Sequence, residues 1–243
     1  MPDNELIFLG RGAGFLPSEG NTSACIRCGE RLLLIDCGET VFGKLLVSRL
    51  LQGVREMVVL ISHLHSDHCG SLGSLLLYTR FAMGITVRIV LPEQSEYADD
   101  LRSMLRMNGV PDDAWIPVDG VAVWPFAGVT DIRWIPTRHA PGIPAFSFEI
   151  GTETGWIFYS ADTCETGPVE DFLRRVPDFR HVYMDVCDTD RPGQVHVSLR
   201  QLCACIRPEQ RSRVSLMHLN VLTCIEAGQK EGFDVVSVYD TER

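Results

Sequence analysis

The stretch that most constrains this chain is Ile61-Ser62-His63-Leu64-His65-Ser66-Asp67-His68, where the apolar run Met57–Ile61 leads directly into three imidazoles and a carboxylate. Residues two apart in extended chain share a face, so His63 and His65 point the same way. Asp67 and His68 follow as the chain turns towards a helix expected to begin near Gly70. Such a loop offers one pair of ligands to one metal ion and a second pair to a neighbouring ion. Neutral imidazole nitrogen and carboxylate oxygen suit zinc and similar borderline cations, with manganese tolerated. A lone histidine after a strand is more often a core residue. Four ligand-type side chains packed together are not explained that way.

Three further candidates end apolar runs. His139 follows Ile132–Ile135, Asp162 follows Trp156–Tyr159, and His218 closes Val-Ser-Leu-Met-His. Loops at strand ends are where functional side chains collect. As a set these three complete what the first motif lacks.

The rest of the chain supports a folded α/β protein of one domain over residues 1–243, a length at which the core needs no disulfides. Short apolar runs predict strands at Leu6–Leu9, Ser23–Arg27, Arg31–Ile35, Met57–Ile61, Thr86–Leu91, Gly120–Phe126, Thr130–Ile135, Ala145–Ile150, Gly155–Tyr159, Val182–Val186 and Val214–Met217. Helical spacing predicts Val41–Gln52, Gly70–Phe81, Gln94–Met107, Pro168–Arg175, Ser198–Ile206 and Leu222–Glu231, with Gly53 and Gly109 as C-terminal caps. No run approaches the length of a membrane span, and Met1–Gly10 has no basic segment before its apolar residues, so a cytoplasmic protein is expected. Nine cysteines, an odd number, argue against a disulfide framework. Cys25, Cys37, Cys203 and Cys205 read as small buried hydrophobes. Neither Cys25-x-x-Cys28 nor Cys203-x-Cys205 has a partner pair at zinc-site spacing. The net charge of −10 weighs against a nucleic-acid surface.

The motif His63-Leu-His65-Ser-Asp67-His68, followed by separate His, Asp and His residues, resembles the metallo-β-lactamase superfamily of binuclear hydrolases. Asn21-Thr22-Ser23, Asp36-Cys37-Gly38-Glu39, Tyr159-Ser160-Ala161-Asp162-Thr163, His196-Val197-Ser198 and Met217-His218-Leu219-Asn220 resemble, in order, motifs of its ribonuclease Z-like phosphodiesterase branch. The resemblance implies a four-layer αββα sandwich of two pseudo-equivalent halves with a dimetal site at one edge. It places one Zn²⁺ (or Mn²⁺) on His63, His65 and His139 and another on Asp67, His68 and His218, bridged by Asp162. The implied nucleophile is a metal-bridging hydroxide, with Asp67 near enough to orient or deprotonate it. His196 matches a histidine of that branch that stabilises the oxyanion or protonates the leaving oxygen. Asp185 matches an acidic residue that would fix the tautomer of His196. His181 is assigned to structure. Enzymes of the branch are commonly homodimers, with Asp112–Trp115 and Gly70–Phe81 as candidate contacts here.

Transfer-RNA-processing members carry a long basic arm between the third histidine and the bridging aspartate. Here that interval reads as a hairpin. The armless relatives act on small phosphodiesters, namely cyclic ribosyl phosphates and the cyclic nucleotides of phage counter-defence against cyclic-pyrimidine signalling. The expected activity is therefore metal-dependent hydrolysis of a small cyclic phosphodiester, a 3′,5′-cyclic nucleotide first, with no membrane partner. Ser160, Thr163 and the loop Arg138–Pro144 lie near the expected substrate. The alternatives are a ribonuclease Z-type RNA 3′-end endonuclease, a lactone or thioester hydrolase, and a non-catalytic binding module.

Overall fold

The computed structural model describes residues 6–92, 95–119 and 123–240. Two six-stranded sheets face each other. The first has strands in sequence order, β1 (Ile7–Gly10), β2 (Ser23–Cys28), β3 (Arg31–Ile35), β4 (Glu56–Leu60), β5 (Val87–Leu91) and β6 (Trp115–Asp119). The second runs from β7 (Val129–Thr137) through β8 (Ala145–Thr152), β9 (Gly155–Tyr159), β10 (His181–Asp185) and β11 (Val214–Met217) to β12 (Asp234–Val235). In each sheet the first three strands form an antiparallel meander and the remaining pairs are parallel. Parallel pairs need crossovers, and these supply the helices of the outer layers.

Helices α1 (Val41–Val47), α2 (Ser66–Cys69), α3 (Leu72–Tyr78) and α4 (Ser95–Met107) belong to the first half, and α5 (Gly167–Arg175), α6 (Leu199–Cys205) and α7 (Thr223–Lys230) to the second. Three apolar clusters separate the four layers. One holds Leu32, Leu34, Val59 and Ile89 against Leu45, Leu72, Leu75 and Leu101. The central one joins the sheets through Leu33, Ile35, Val58 and Leu60 against Phe148, Ile150, Ile157 and Tyr159. The third packs Val182, Met184 and Leu216 against Phe172, Leu202 and Cys224. Because β3, β4 and β9 contribute to buried faces on both sides, their sequences read as near-continuous apolar runs.

Several expectations shift. The helix expected over Gly70–Phe81 is present as α3 with a π-helical turn at Thr79–Met83, and an unexpected short helix, α2, precedes it, so Asp67 and His68 stand on a helix rather than ahead of one. The helix over Val41–Gln52 stops at Val47, and Arg49 then takes a left-handed backbone at φ 58°. Of the strand expected at Gly120–Phe126, residues 120–122 lie outside the described residues, and 123–126 form a turn with a single bridge from Phe126 to Val129. The strand is instead β6. Its Pro117 cannot donate to a ladder, which is tolerated at a sheet edge. Gln94 also lies outside the described residues.

All nine cysteines are free. Cys25 and Cys37 are buried, and burial pushes both thiols up to about 12. Cys203 and Cys205 are only half-buried, because α6 turns that side towards solvent. Within the segments considered for dimer contacts, Ala114, Trp115, Leu72, Leu75 and Leu76 go into the core, and Asp112, Asp113 and Phe81 reach the surface. Among the described residues no helix is long and apolar enough to cross a membrane.

Candidate metal centre

Every sequence-predicted ligand lies just beyond the C-terminal end of a strand, at one edge where the two sheets meet. His63 and His65 follow β4, His139 follows β7, Asp162 follows β9 and His218 follows β11. The short helix α2 carries Asp67 and His68 and is clamped to the loop after β3. Cys37 N–H donates to the His68 carbonyl at 2.7 Å, and Ser71 N–H donates to the Cys37 carbonyl at 3.0 Å. Gly38 makes this closeness possible. A Cβ there would stand 1.9 Å from the Asp67 carbonyl oxygen, so only glycine fits.

The ligand atoms form two four-membered groups. In the first, His65 Nδ1 is 3.1 Å from both His63 Nε2 and His139 Nε2, and Asp162 Oδ2 is 3.8 Å from His63 Nε2 and 3.5 Å from His139 Nε2. In the second, Asp162 Oδ1 is 3.1 Å from His68 Nε2 and 3.3 Å from His218 Nε2. The two imidazole nitrogens are 3.3 Å apart, and Asp67 Oδ2 lies 3.3 Å from His218 and 3.7 Å from His68. A tetrahedral ion with ligands at zinc distances has ligand–ligand edges of roughly 3.3 Å. Both groups match that spacing, and Asp162 gives one oxygen to each.

The hydrogen bonds on the far side of the rings point the same way. Asp36, fully buried, accepts from Ser62 N–H at 2.7 Å, from Ser62 Oγ at 2.8 Å and from His68 Nδ1 at 2.8 Å. With its proton given to Asp36, Ser62 Oγ is left to accept from His63 Nδ1 at 3.1 Å. His139 Nδ1 donates to the Val195 carbonyl at 2.9 Å. An outer Nδ1–H leaves Nε2 as the inward-facing nitrogen, here for His63, His68 and His139. Converging lone pairs repel one another unless a cation or proton lies between them. Asp162 Oδ1 is likewise buried with no aligned donor.

The titration behaviour divides the groups. Burial, aided by the neighbouring His68, drives His63 well below the ordinary histidine value. Burial also opposes charge on His68, but Asp162 and Asp36 outweigh it and raise that ring well above. For His218, burial is overcome by Asp162, Asp185 and Asp67, which lift it to about 10. Burial would raise Asp67, yet His218 and His68 bring it down to about 2. In the second group His68 and His218 thus favour protons where a cation would stand, and the donor set of both groups fits divalent ions.

A second constellation adjoins the first. His196 Nδ1 donates to Asp185 Oδ2 at 2.8 Å, shorter than either group's ligand spacing and right for a hydrogen bond rather than a shared ion. Asp185 is fully buried. It accepts from Thr163 N–H at 3.1 Å, and its own N–H donates to Ser160 Oγ at 2.8 Å. Its other oxygen lies 3.3 Å from His218 Nδ1. Ser160 and Thr163 are therefore supports of Asp185. Burial works against a charge on His196, but Asp185 and then Asp162 raise it above its usual value. His65, Asp67, His139, Asp162 and His196 line one cavity of about 420 Å³, joined at its rim by Phe15.

Sequence reasoning passed over Asp36, Ser62 and the Val195 carbonyl as participants. Asp36 had a signal, since a carboxylate directly after the buried strand β3 needs a partner inside. His181, on β10, bonds Ser215 Oγ at 2.8 Å, away from this cavity.

A family profile described as Anti-Pycsar protein Apyc1 matches residues 4–237. An Anti-Pycsar protein Apyc1 from Paenibacillus sp. (strain J14) is 30% identical over 223 residues, 88% of each chain. A Ribonuclease Z from Mycobacterium sp. (strain KMS) is 26% identical over 255 residues, covering 96% of this chain and 82% of that protein. Among solved structures, the metallo-beta-lactamase fold protein YhfI from Bacillus subtilis superimposes with a TM-score of 0.72 at 17% identity, covering 97% of this chain and 95% of that one.

Proposed function

The chain belongs to the Anti-Pycsar protein Apyc1 family, a metal-dependent hydrolase of the metallo-β-lactamase superfamily's ribonuclease Z-like branch, and from that premise we propose that it hydrolyses 3′,5′-cyclic nucleotides, cyclic pyrimidines among them. The observation that carries the reading is the pair of ligand groups sharing Asp162, with the His196–Asp185 pair on the wall of the same cavity. Two ions are proposed, zinc first and manganese as the alternative, in a cytoplasmic homodimer of one domain spanning residues 1–243.

His63, His65, His139 and Asp162 would hold one ion, and Asp67, His68, His218 and Asp162 the other. Cations held there acidify water enough for attack at neutral pH and offset charge on a phosphate. The protein's own groups do the rest. Asp67, kept as a carboxylate, accepts a hydrogen bond from the attacking water and orients it. Asp185 holds His196 by Nδ1, so Nε2 is the ring nitrogen left for substrate. From there His196 donates a proton to the ester oxygen that leaves phosphorus when the cyclic diester opens. Opening a ring releases no second molecule, which suits a confined cavity.

The interval between His139 and Asp162 is occupied by a loop and the hairpin β8–β9. The basic arm of transfer-RNA processors is absent among these described residues, which favours a small substrate over an RNA end. The test is turnover of a panel of 3′,5′-cyclic mononucleotides by zinc- or manganese-loaded protein. His196→Ala should keep its metal and lose about 10²–10⁴-fold in rate. Asp162→Ala should lose metal and activity together. Cleavage of a pre-tRNA trailer without cyclic-nucleotide turnover would support the endonuclease reading instead, and faster hydrolysis of a lactone than of any phosphodiester the acyl-hydrolase one.

A further inference from the structure

Phe15 is fully exposed, at 101% of its reference area, yet it forms part of the rim of the metal cavity. No other large apolar side chain described here is so completely in water. Its backbone is not loose. Ala13 N–H donates to the Leu219 carbonyl at 2.9 Å, directly after His218. Leu16 N–H closes a turn onto the Ala13 carbonyl at 2.9 Å. The Leu16 side chain packs into the cluster beneath the second sheet, and Arg11 pairs with Glu19 at 2.6 Å across the base of the loop. Gly14 lies against the ligand group, since a Cβ there would meet Asp67 Oδ2 at 3.0 Å. The loop thus presents one aromatic ring to solvent, a single residue away from closest approach to Asp67.

The cavity then has two chemistries. Its floor is histidine and carboxylate, suited to cations and a phosphate, and its rim carries one exposed aromatic ring on an anchored backbone. A cyclic nucleotide has the same two parts, a charged ring diester and a planar base. We propose that Phe15 is the positioning residue for the base, stacking on its face while the cyclic phosphate sits over Asp162. This rests on the cyclic-nucleotide reading and assigns a side chain to recognition of the base. Stacking needs only a π-face, so Phe15 would raise affinity for all bases rather than select among them.

The test compares cyclic UMP with the same sugar 3,5-cyclic phosphate lacking a base, in metal-loaded wild type, Phe15→Ala and Phe15→Trp. An exposed residue can be truncated without threatening the fold. Phe15→Ala should cut the kcat/KM advantage of the nucleotide over the base-less diester by about ten-fold, through KM rather than kcat. Phe15→Trp should restore it. An unchanged ratio in Phe15→Ala overturns the stacking role, as does an equal loss on both substrates accompanied by a change in oligomeric state, which would make Phe15 a subunit contact. Wild-type protein that turns over the base-less diester but no nucleotide overturns the cyclic-nucleotide reading, and the role of Phe15 with it.

Discussion

Asp185 serves two histidines, holding His196 by a 2.8 Å hydrogen bond and standing 3.3 Å from His218. Its negative charge favours protonated His196, so Asp185→Asn should lower the pKa of that ring. If protonated His196 is the acid, the alkaline limb of the kcat profile moves to lower pH in the variant, with activity down roughly 10–100-fold. A pH–rate profile checks this; a uniform loss with no shift of the limb would assign Asp185 to packing alone. At this scale the ligands were legible because their residue types are uncommon in clusters and fall at the ends of apolar runs. Their outer acceptors were not. A serine and a backbone carbonyl carry little signal until the fold brings Ser62 and Val195 behind the rings, and the signal of Asp36, a carboxylate after a buried strand, says that it needs a partner without saying which.

At the scale of elements, the two sheets repeat one plan, and so do the loops at their ends. Asp36 follows β3 and Asp162 follows β9, the corresponding third strands, while the histidine motif follows β4 and Asp185 ends β10. One aspartate orients a histidine and its counterpart gives one oxygen to each ligand group. The strands of the parallel sections were readable because burial on both faces makes them continuously apolar. Edge strands β6 and β12 were missed, since Pro117 and a length of two residues leave no such pattern. The clamp between α2 and the loop after β3 gives a sharp prediction. Gly38→Ala drives a Cβ into backbone, whereas Gly228→Ala meets the tip of Leu216, 2.2 Å away but able to rotate. Both should lower Tm, but only Gly38→Ala should also lose bound metal, as read by thermal unfolding and metal content together. Equal metal retention would show that α2 tolerates displacement.

At the scale of the whole molecule, buried charge makes stability depend on pH and on ions. His218 is raised from 6.5 to about 10 by its carboxylate neighbours. Its contribution in metal-free protein is fully present below pH 6.5 and is lost as pH rises towards 10. Asp67, lowered from 3.8 to about 2, contributes above pH 3.8 and loses that contribution as pH falls towards 2. Metal-free protein should therefore show a falling Tm between pH 6.5 and 10. Protein saturated with zinc should not, since the neutral ring is the form that binds. Calorimetry across that range checks it; parallel curves with and without metal would mean that His218 does not share the ion.

Each ligand group takes two side chains from the segment after β4 in the first half, the loop for one and α2 for the other, and two from strand ends of the second sheet, Asp162 being common to both. An ion so held would tie the two sheets together at that edge, so the difference in Tm between loaded and stripped protein reads how much of their cohesion the ions would supply, without any substrate.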